Sequence, residues 1–208
     1  MKEKDKEEII RLYEDRLEKY GRSVKTMGWR DKDQQYLRFK ILSEIGELDG
    51  KKILDVGCGF GDFFDYLKNN GIDVDYHGFD ISPKIIAAAK RHHPDLIFEE
   101  KDILAEEMDE KFDYVFESGI LNKKNLDNCM YAKAIISKMY NLCTEGISFN
   151  VMTNYVDYRE DYLFYYSPEK IFAFCKKLSK FVVLRHDYPL YEFTMYIYKN
   201  KRSKGNFQ

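Results

Sequence analysis

The chain predicts an α/β fold: a seven-stranded, mostly parallel sheet with an antiparallel last strand, helices on both faces and an N-terminal helical extension. Three observations carry this expectation. From Lys52 onward, short apolar runs alternate with stretches of helical period, which is how a parallel sheet with crossover helices reads. The first run ends in a glycine-rich turn, Gly57-Cys58-Gly59-Phe60-Gly61, before a helical pattern begins. The last two runs are joined by only Tyr188-Pro189-Leu190-Tyr191, too short for a helical crossover, so the final strand must reverse.

In chain order, residues 3–20 space Ile9, Ile10, Tyr13, Leu17 and Tyr20 by three and four among many charges, predicting an amphipathic helix. A loop from Gly21 to Arg30, holding the only tryptophan, Trp29, leads to a second helix over 31–46. Strands are predicted at 52–57, 74–80, 96–102, 112–118 and 147–152, with helices near 60–70, 83–92 and 127–142. Ser82 followed by Pro83 is helix-entry chemistry, a side-chain cap and then a residue with no amide hydrogen to satisfy. Ser167-Pro168 repeats it and opens a helix to about Leu178, after a long aromatic and acidic loop over 153–166. Strands at 181–187 and 192–199 close the fold. Residues 1–48 are thus expected to form an N-terminal helical lid or extension, 49–200 the sheet domain and 201–208 a disordered tail.

The 208 residues suit one domain, and a net charge of −2 gives no bulk electrostatic hold on nucleic acid. No apolar run resembles a signal peptide, and none nears the roughly 18 residues of a membrane span, so a cytoplasmic protein is expected, without membrane attachment. Cys58, Cys129, Cys143 and Cys175 include no C-x-x-C pair and no histidines at ligand spacing, so reduced thiols and no metal are expected. A monomer or homodimer is expected.

The glycine turn is the most informative segment. It follows an acid, Asp55, and its glycines let the backbone approach a ligand at the carboxyl edge of the sheet. A dinucleotide fingerprint would need glycine where Asp62 stands, and the Lys-Ser/Thr of a P-loop is missing. Asp55 and Asp62 beside a pyrophosphate would repel it, so a ligand with a cationic part fits better. The pattern D-x-G-x-G-x-G after a strand resembles motif I of the Rossmann-like class I S-adenosylmethionine-dependent methyltransferases. The resemblance spans roughly residues 50–199 and implies S-adenosylmethionine as cofactor, with S-adenosylhomocysteine as product. It places Asp55, Gly57, Cys58, Gly59 and Gly61 around the cofactor. It puts Asp80, in HGFDISP, on the ribose hydroxyls and Ile81 against the adenine. Asp102 and the Ile103 amide would recognise the adenine edge, and Glu117, Ser118 and Gly119 would lie beside the methionine part.

Further candidates come from position alone. Gln35 and Arg38, three apart on one helical face, either clamp the cofactor carboxylate or lie on an incidental surface helix. Trp29 either closes or anchors the N-terminal lid. His186 and Glu117 are the candidate catalytic bases, each with a structural alternative. Of 17 Tyr, 15 Phe and 1 Trp, fifteen fall between Phe149 and Tyr198, which locates the acceptor side. Tyr155, Tyr158, Tyr165, Tyr166 and the loop residue Asn122 are the candidate acceptor contacts, against plain packing. The Asn/Asp-Pro-Pro-Tyr motif of nucleobase and glutamine enzymes is missing from ESGILNKK, so a small-molecule acceptor methylated on oxygen, or on nitrogen, is expected. The alternatives are a tRNA or rRNA methyltransferase using the basic tail Lys199, Lys201, Arg202 and Lys204, or a non-catalytic cofactor-binding module.

Overall fold

The computed structural model describes residues 3–200; the expected tail, with Lys201, Arg202 and Lys204, lies outside the described residues. The elements run α1 (Glu3–Tyr20), α2 (Lys32–Ser43), β1 (Lys51–Val56), α3 (Asp62–Asn69), β2 (Val74–Asp80), α4 (Pro83–His92), β3 (Ile97–Glu100), β4 (Phe112–Ser118), α5 (Asn128–Leu142), β5 (Cys143–Met152), α6 (Pro168–Leu178), β6 (Phe181–Arg185) and β7 (Glu192–Tyr198). The seven strands form one sheet in the order β3-β2-β1-β4-β5-β7-β6. β7 pairs antiparallel with both β5 and β6 and every other pairing is parallel, so the reversal read from the short Tyr188–Tyr191 connection holds.

Local chemistry starts the helices where the sequence places them. Ser82 Oγ accepts from the Ile85 amide at 3.3 Å ahead of Pro83, and Ser167 Oγ accepts from Lys170 at 3.2 Å ahead of Pro168. Asp31 does the same for α2, accepting from Gln34 at 2.8 Å. β5 begins at Cys143, earlier than expected, directly against the end of α5. Its first residues, Cys-Thr-Glu-Gly, offer no apolar run. What holds them is pairing with β4 across a register shift, and at Gly146 a Cβ would stand 2.9 Å from the Ile197 carbonyl.

Period-two alternation sends side chains to two cores. Leu54 and Val56 of β1, with Ile147, Phe149 and Val151 of β5, pack against α5 and α6 residues such as Ile135, Met139 and Ile171. Ile53, Tyr76, Tyr114 and Phe116 pack on the other face with Phe39, Leu42 and Ile45 of the α2 region and Phe63 and Leu67 of α3. The extension is therefore part of the second core. Tyr198 donates to the Ile45 carbonyl at 2.9 Å, and Tyr196 donates to Ile41, tying β7 to the α2 region.

α1 crosses the carboxyl edge of the sheet. Lys6 pairs with Asp102 at 3.3 Å, Glu14 meets Ser82 at 3.2 Å and Glu18 pairs with Lys84 at 2.8 Å. Tyr13, Leu17 and Met27 pack on Phe60, Ile85 and Ala88. Among the described residues no helix is long and apolar enough to cross a membrane.

Candidate active site

The sheet order reverses between β1 and β4, and open α/β sheets bind ligands in the crevice at that point. A cavity of about 330 Å³ occupies it, within the range of small-molecule sites. The β1–α3 turn forms one wall. Gly57 and Gly59 have φ of 77° and 56°, which side-chain-bearing residues rarely adopt. A Cβ on Gly57 would stand 2.2 Å from the Ile120 side chain, and one on Gly59 2.6 Å from Met27 Sδ. The turn is thus a bare-backbone cradle enclosed from above.

Acids surround the cradle. Asp55 is buried and accepts from Tyr76 Oη at 2.6 Å. Burial raises its carboxyl to about 7, against the Tyr76 hydrogen bond and with help from the charges of Asp80 and Asp62. Asp80, ending β2, accepts from the amides of Gly59 at 3.1 Å and Ser82 at 3.0 Å, which locks its orientation toward the cavity it lines. Burial raises its pKa, opposed by the backbone amides of Ser82, Gly59 and Ile81. Asp102 lines the same cavity, with Oδ1 on the Leu104 amide at 3.0 Å and Oδ2 beside Lys6. Cys58, Ile81, Ile103, Ser118 and Gly119 also line it. Gly61 supports the wall from outside, as the left-handed residue that starts α3.

Glu117 lies behind the wall rather than in it. It is wholly buried; Oε1 accepts from the Ile120 amide at 2.7 Å, and Oε2 has no hydrogen-bond partner among the described residues. Burial, opposed by the Ile120 and Leu121 amides, raises its pKa to about 8, so it carries its proton at neutral pH and is not poised as a base there.

The extension supplies the opposite wall. Gln35 donates to Asp62 at 3.2 Å. Arg38 departs from the free clamp expected of it, because Nε and Nη2 are both committed to Glu192 at 2.8 Å. Its Nη1 is buried without a partner among the described residues, and its guanidinium lies 4.3 Å from the Trp29 ring. Arg38 and Trp29 both line the cavity, and Trp29 sits over Gly119, where a Cβ would stand 2.9 Å from the indole.

The aromatic loop separates from most of its expected role. Tyr166 is buried and donates to the Leu121 carbonyl at 3.0 Å, so it packs the core. Tyr165 accepts from the Glu160 amide at 2.9 Å and takes Arg159 on its face, in a separate cleft. Tyr155 and Tyr158 point outward, 62% and 72% exposed. His186 is also exposed, beside Tyr155, and does not reach the cavity, so it is not placed as a base. Asn122 lines the cavity, but its Oδ1 accepts from the Met152 amide at 3.0 Å, anchoring the loop after β4. Tyr162 is the loop ring that reaches the cavity.

Sequence reasoning missed several wall residues. Ile9, Ile10, Tyr13 and Arg16 come from α1, Met27 from the loop before α2, Lys123 from the loop after β4 and Tyr131 from α5. The available signal was the apolar stripe of α1, on a segment expected to be a lid but with none of these residues singled out. Among the described residues, Asp65, His92 and His93 bring possible ligand atoms within 4.8 Å of one another, but Arg22 already occupies Asp65 at 2.8 Å.

The methyltransferase domain family matches residues 47–203. The chain belongs to this family. The methyltransferase is 38% identical over 166 residues to a Mycobacterium tuberculosis protein named as a methyltransferase, Rv1506c, covering 74% of this chain and 97% of the relative. Many solved structures share its fold. The DhpI complex with S-adenosylhomocysteine matches at TM-score 0.69 and 18% identity, covering 92% of this chain and 95% of that one. Magnesium protoporphyrin IX methyltransferase from Synechocystis, with S-adenosylmethionine bound, matches at TM-score 0.60 and 17% identity, covering 80% of each. The chain is a methyltransferase-family protein with a Rossmann-like fold, and the two neighbours carry S-adenosylhomocysteine and S-adenosylmethionine. The residues present suit S-adenosylmethionine: a backbone cradle, acids for its cationic groups, and a buried guanidinium nitrogen without a partner among the described residues.

Proposed function

We propose that the enzyme methylates an oxygen, or a nitrogen, of a small-molecule acceptor inside this cavity, with residues 1–48 serving as its lid. The supporting observation is cover: Ile9, Ile10 and Tyr13 of α1, Trp29 and the loop after β4 line the same cavity as the glycine turn, so an acceptor has to fit beneath them. Bound S-adenosylmethionine would supply an electrophilic methyl group on a sulfonium, ready for in-line displacement. Asp80 would hold the ribose diol, with both its oxygens already oriented by backbone amides. Asp102 and Ile103 would read the adenine, and Gly57 and Gly59 would admit the chain of the amino acid part. Arg38 Nη1 would take the cofactor carboxylate while Glu192 fixes its plane.

The lid's task is exclusion and alignment. Ile9, Ile10 and Tyr13 cover the edge with apolar surface, and holding the reacting groups in line is worth on the order of 7–11 kcal/mol. Neither Glu117 nor His186 is placed to take a proton, so the acceptor would react as an ionised or readily ionised group. The test is incubation with methyl-labelled S-adenosylmethionine and a small-molecule extract, read by mass spectrometry. A labelled small molecule supports the reading, and its fragments tell oxygen-methyl from nitrogen-methyl. Label found only in RNA or protein overturns it.

A further inference from the structure

Charged residues of both signs line the cavity. Asp55, Asp80 and Asp102 lie at the cofactor end, whereas Arg16 and Lys123 line the wall next to the aromatic loop. Backbone pairing brings these together: Lys123 bridges Leu163, the Lys124 amide donates to the Tyr162 carbonyl at 3.0 Å, and the Phe164 amide donates to Asn122 at 2.9 Å. Lys123 Nζ lies 4.6 Å from the Tyr162 ring. Arg16 reaches the same region from α1, with its guanidinium against Gly28 and 5.7 Å from the Tyr13 ring.

Neither cation makes an ion pair or a side-chain hydrogen bond with any described residue. Elsewhere on α1, Lys6 pairs with Asp102 and Glu18 with Lys84. Both cations are half-buried, and the Lys123 ammonium is held below its usual range by burial and by the Arg16 charge. Two like charges facing one enclosed space cost free energy unless an anion joins them.

We propose that the acceptor carries a small oxyanion, a carboxylate, phosphate or phosphonate, held between Arg16 and Lys123. This deepens the reading of a small-molecule acceptor and rests on it. Guanidinium and ammonium groups favour such oxygens, the former in bidentate fashion. The anion would fix one end of the acceptor near Tyr162 and leave the other directed at the cofactor end.

The experiment divides a bacterial small-molecule extract by anion exchange into anionic and neutral-plus-cationic fractions. Each is incubated with the full-length enzyme and deuteromethyl-labelled S-adenosylmethionine. The labelled product is expected from the anionic fraction, and inorganic phosphate should compete with its formation. Arg16→Gln and Lys123→Gln should each lower kcat/KM about tenfold or more, as loss of a charge-assisted hydrogen bond requires, with Arg16→Lys recovering part. Affinity for S-adenosylhomocysteine should stay unchanged in all three, which shows that the variants fold. Product from the neutral-plus-cationic fraction alone, or full activity in both Gln variants, overturns the proposal and leaves the small-molecule reading intact. Absence of product from every small-molecule fraction counts against both.

Discussion

Glu117 shows how burial sets the behaviour of one residue. Its carboxyl is raised from the usual 4.5 to about 8, so between these values the folded protein binds a proton that the unfolded chain has released. Stability from this group is therefore fully present below about 4.5 and is lost as pH rises through about 8. Melting temperature followed across this window should fall with pH in the wild type and fall less in Glu117→Gln, whose amide cannot ionise. An unchanged slope would remove Glu117 from the account. Arg38 and Glu192 make the opposite case, a buried charge pair. Glu192→Ala strands the guanidinium and should cost about 3–5 kcal/mol by urea denaturation, whereas the double change Arg38→Met with Glu192→Leu should recover much of that loss. A neutral result for Glu192→Ala would mean the pair is not closed in solution. Asp80 could be singled out in the sequence because it stands at a strand end in a recognisable run. Glu192 could not, because its partner is 154 positions away and only the fold joins them.

At the scale of elements, what was legible is what is local. Ser-Pro entries into α4 and α6 and the reversal after β6 are written in a few neighbouring residues, and they stand as expected. The early start of β5 was not legible, since Cys143-Thr144-Glu145-Gly146 becomes strand through its neighbours. The aromatic loop misled because ring content says nothing of direction: Tyr166 turns into the core while Tyr155 and Tyr158 turn to solvent. Ser82 serves two elements, capping α4 and meeting Glu14 of α1. Ser82→Ala should cost about 1 kcal/mol in thermal or chemical unfolding, as cap removal does elsewhere. α1 itself is held largely by charged pairs and a small apolar stripe, the kind of element that opens locally. Hydrogen exchange should show its amides exchanging faster than those of β1 and β4, and slowing when S-adenosylhomocysteine is added. No slowing in α1 would deny it a role as lid.

Across the whole molecule, the sheet places its switch point, glycine cradle and strand-end acids on one edge, and the N-terminal helices cover that edge. The extension is a structural partner of the sheet through Phe39, Leu42 and Ile45 as well as a cover for the cavity. Cofactor binding at that edge is the central claim, and calorimetric titration of S-adenosylhomocysteine into the wild type and Asp80→Ala tests it most directly. The account predicts saturable one-to-one binding by the wild type and its loss in Asp80→Ala, with circular dichroism unchanged and Tyr158→Ala, altered on the outward face, binding as the wild type does. Equal affinity in wild type and Asp80→Ala, or no binding by the wild type, would contradict it.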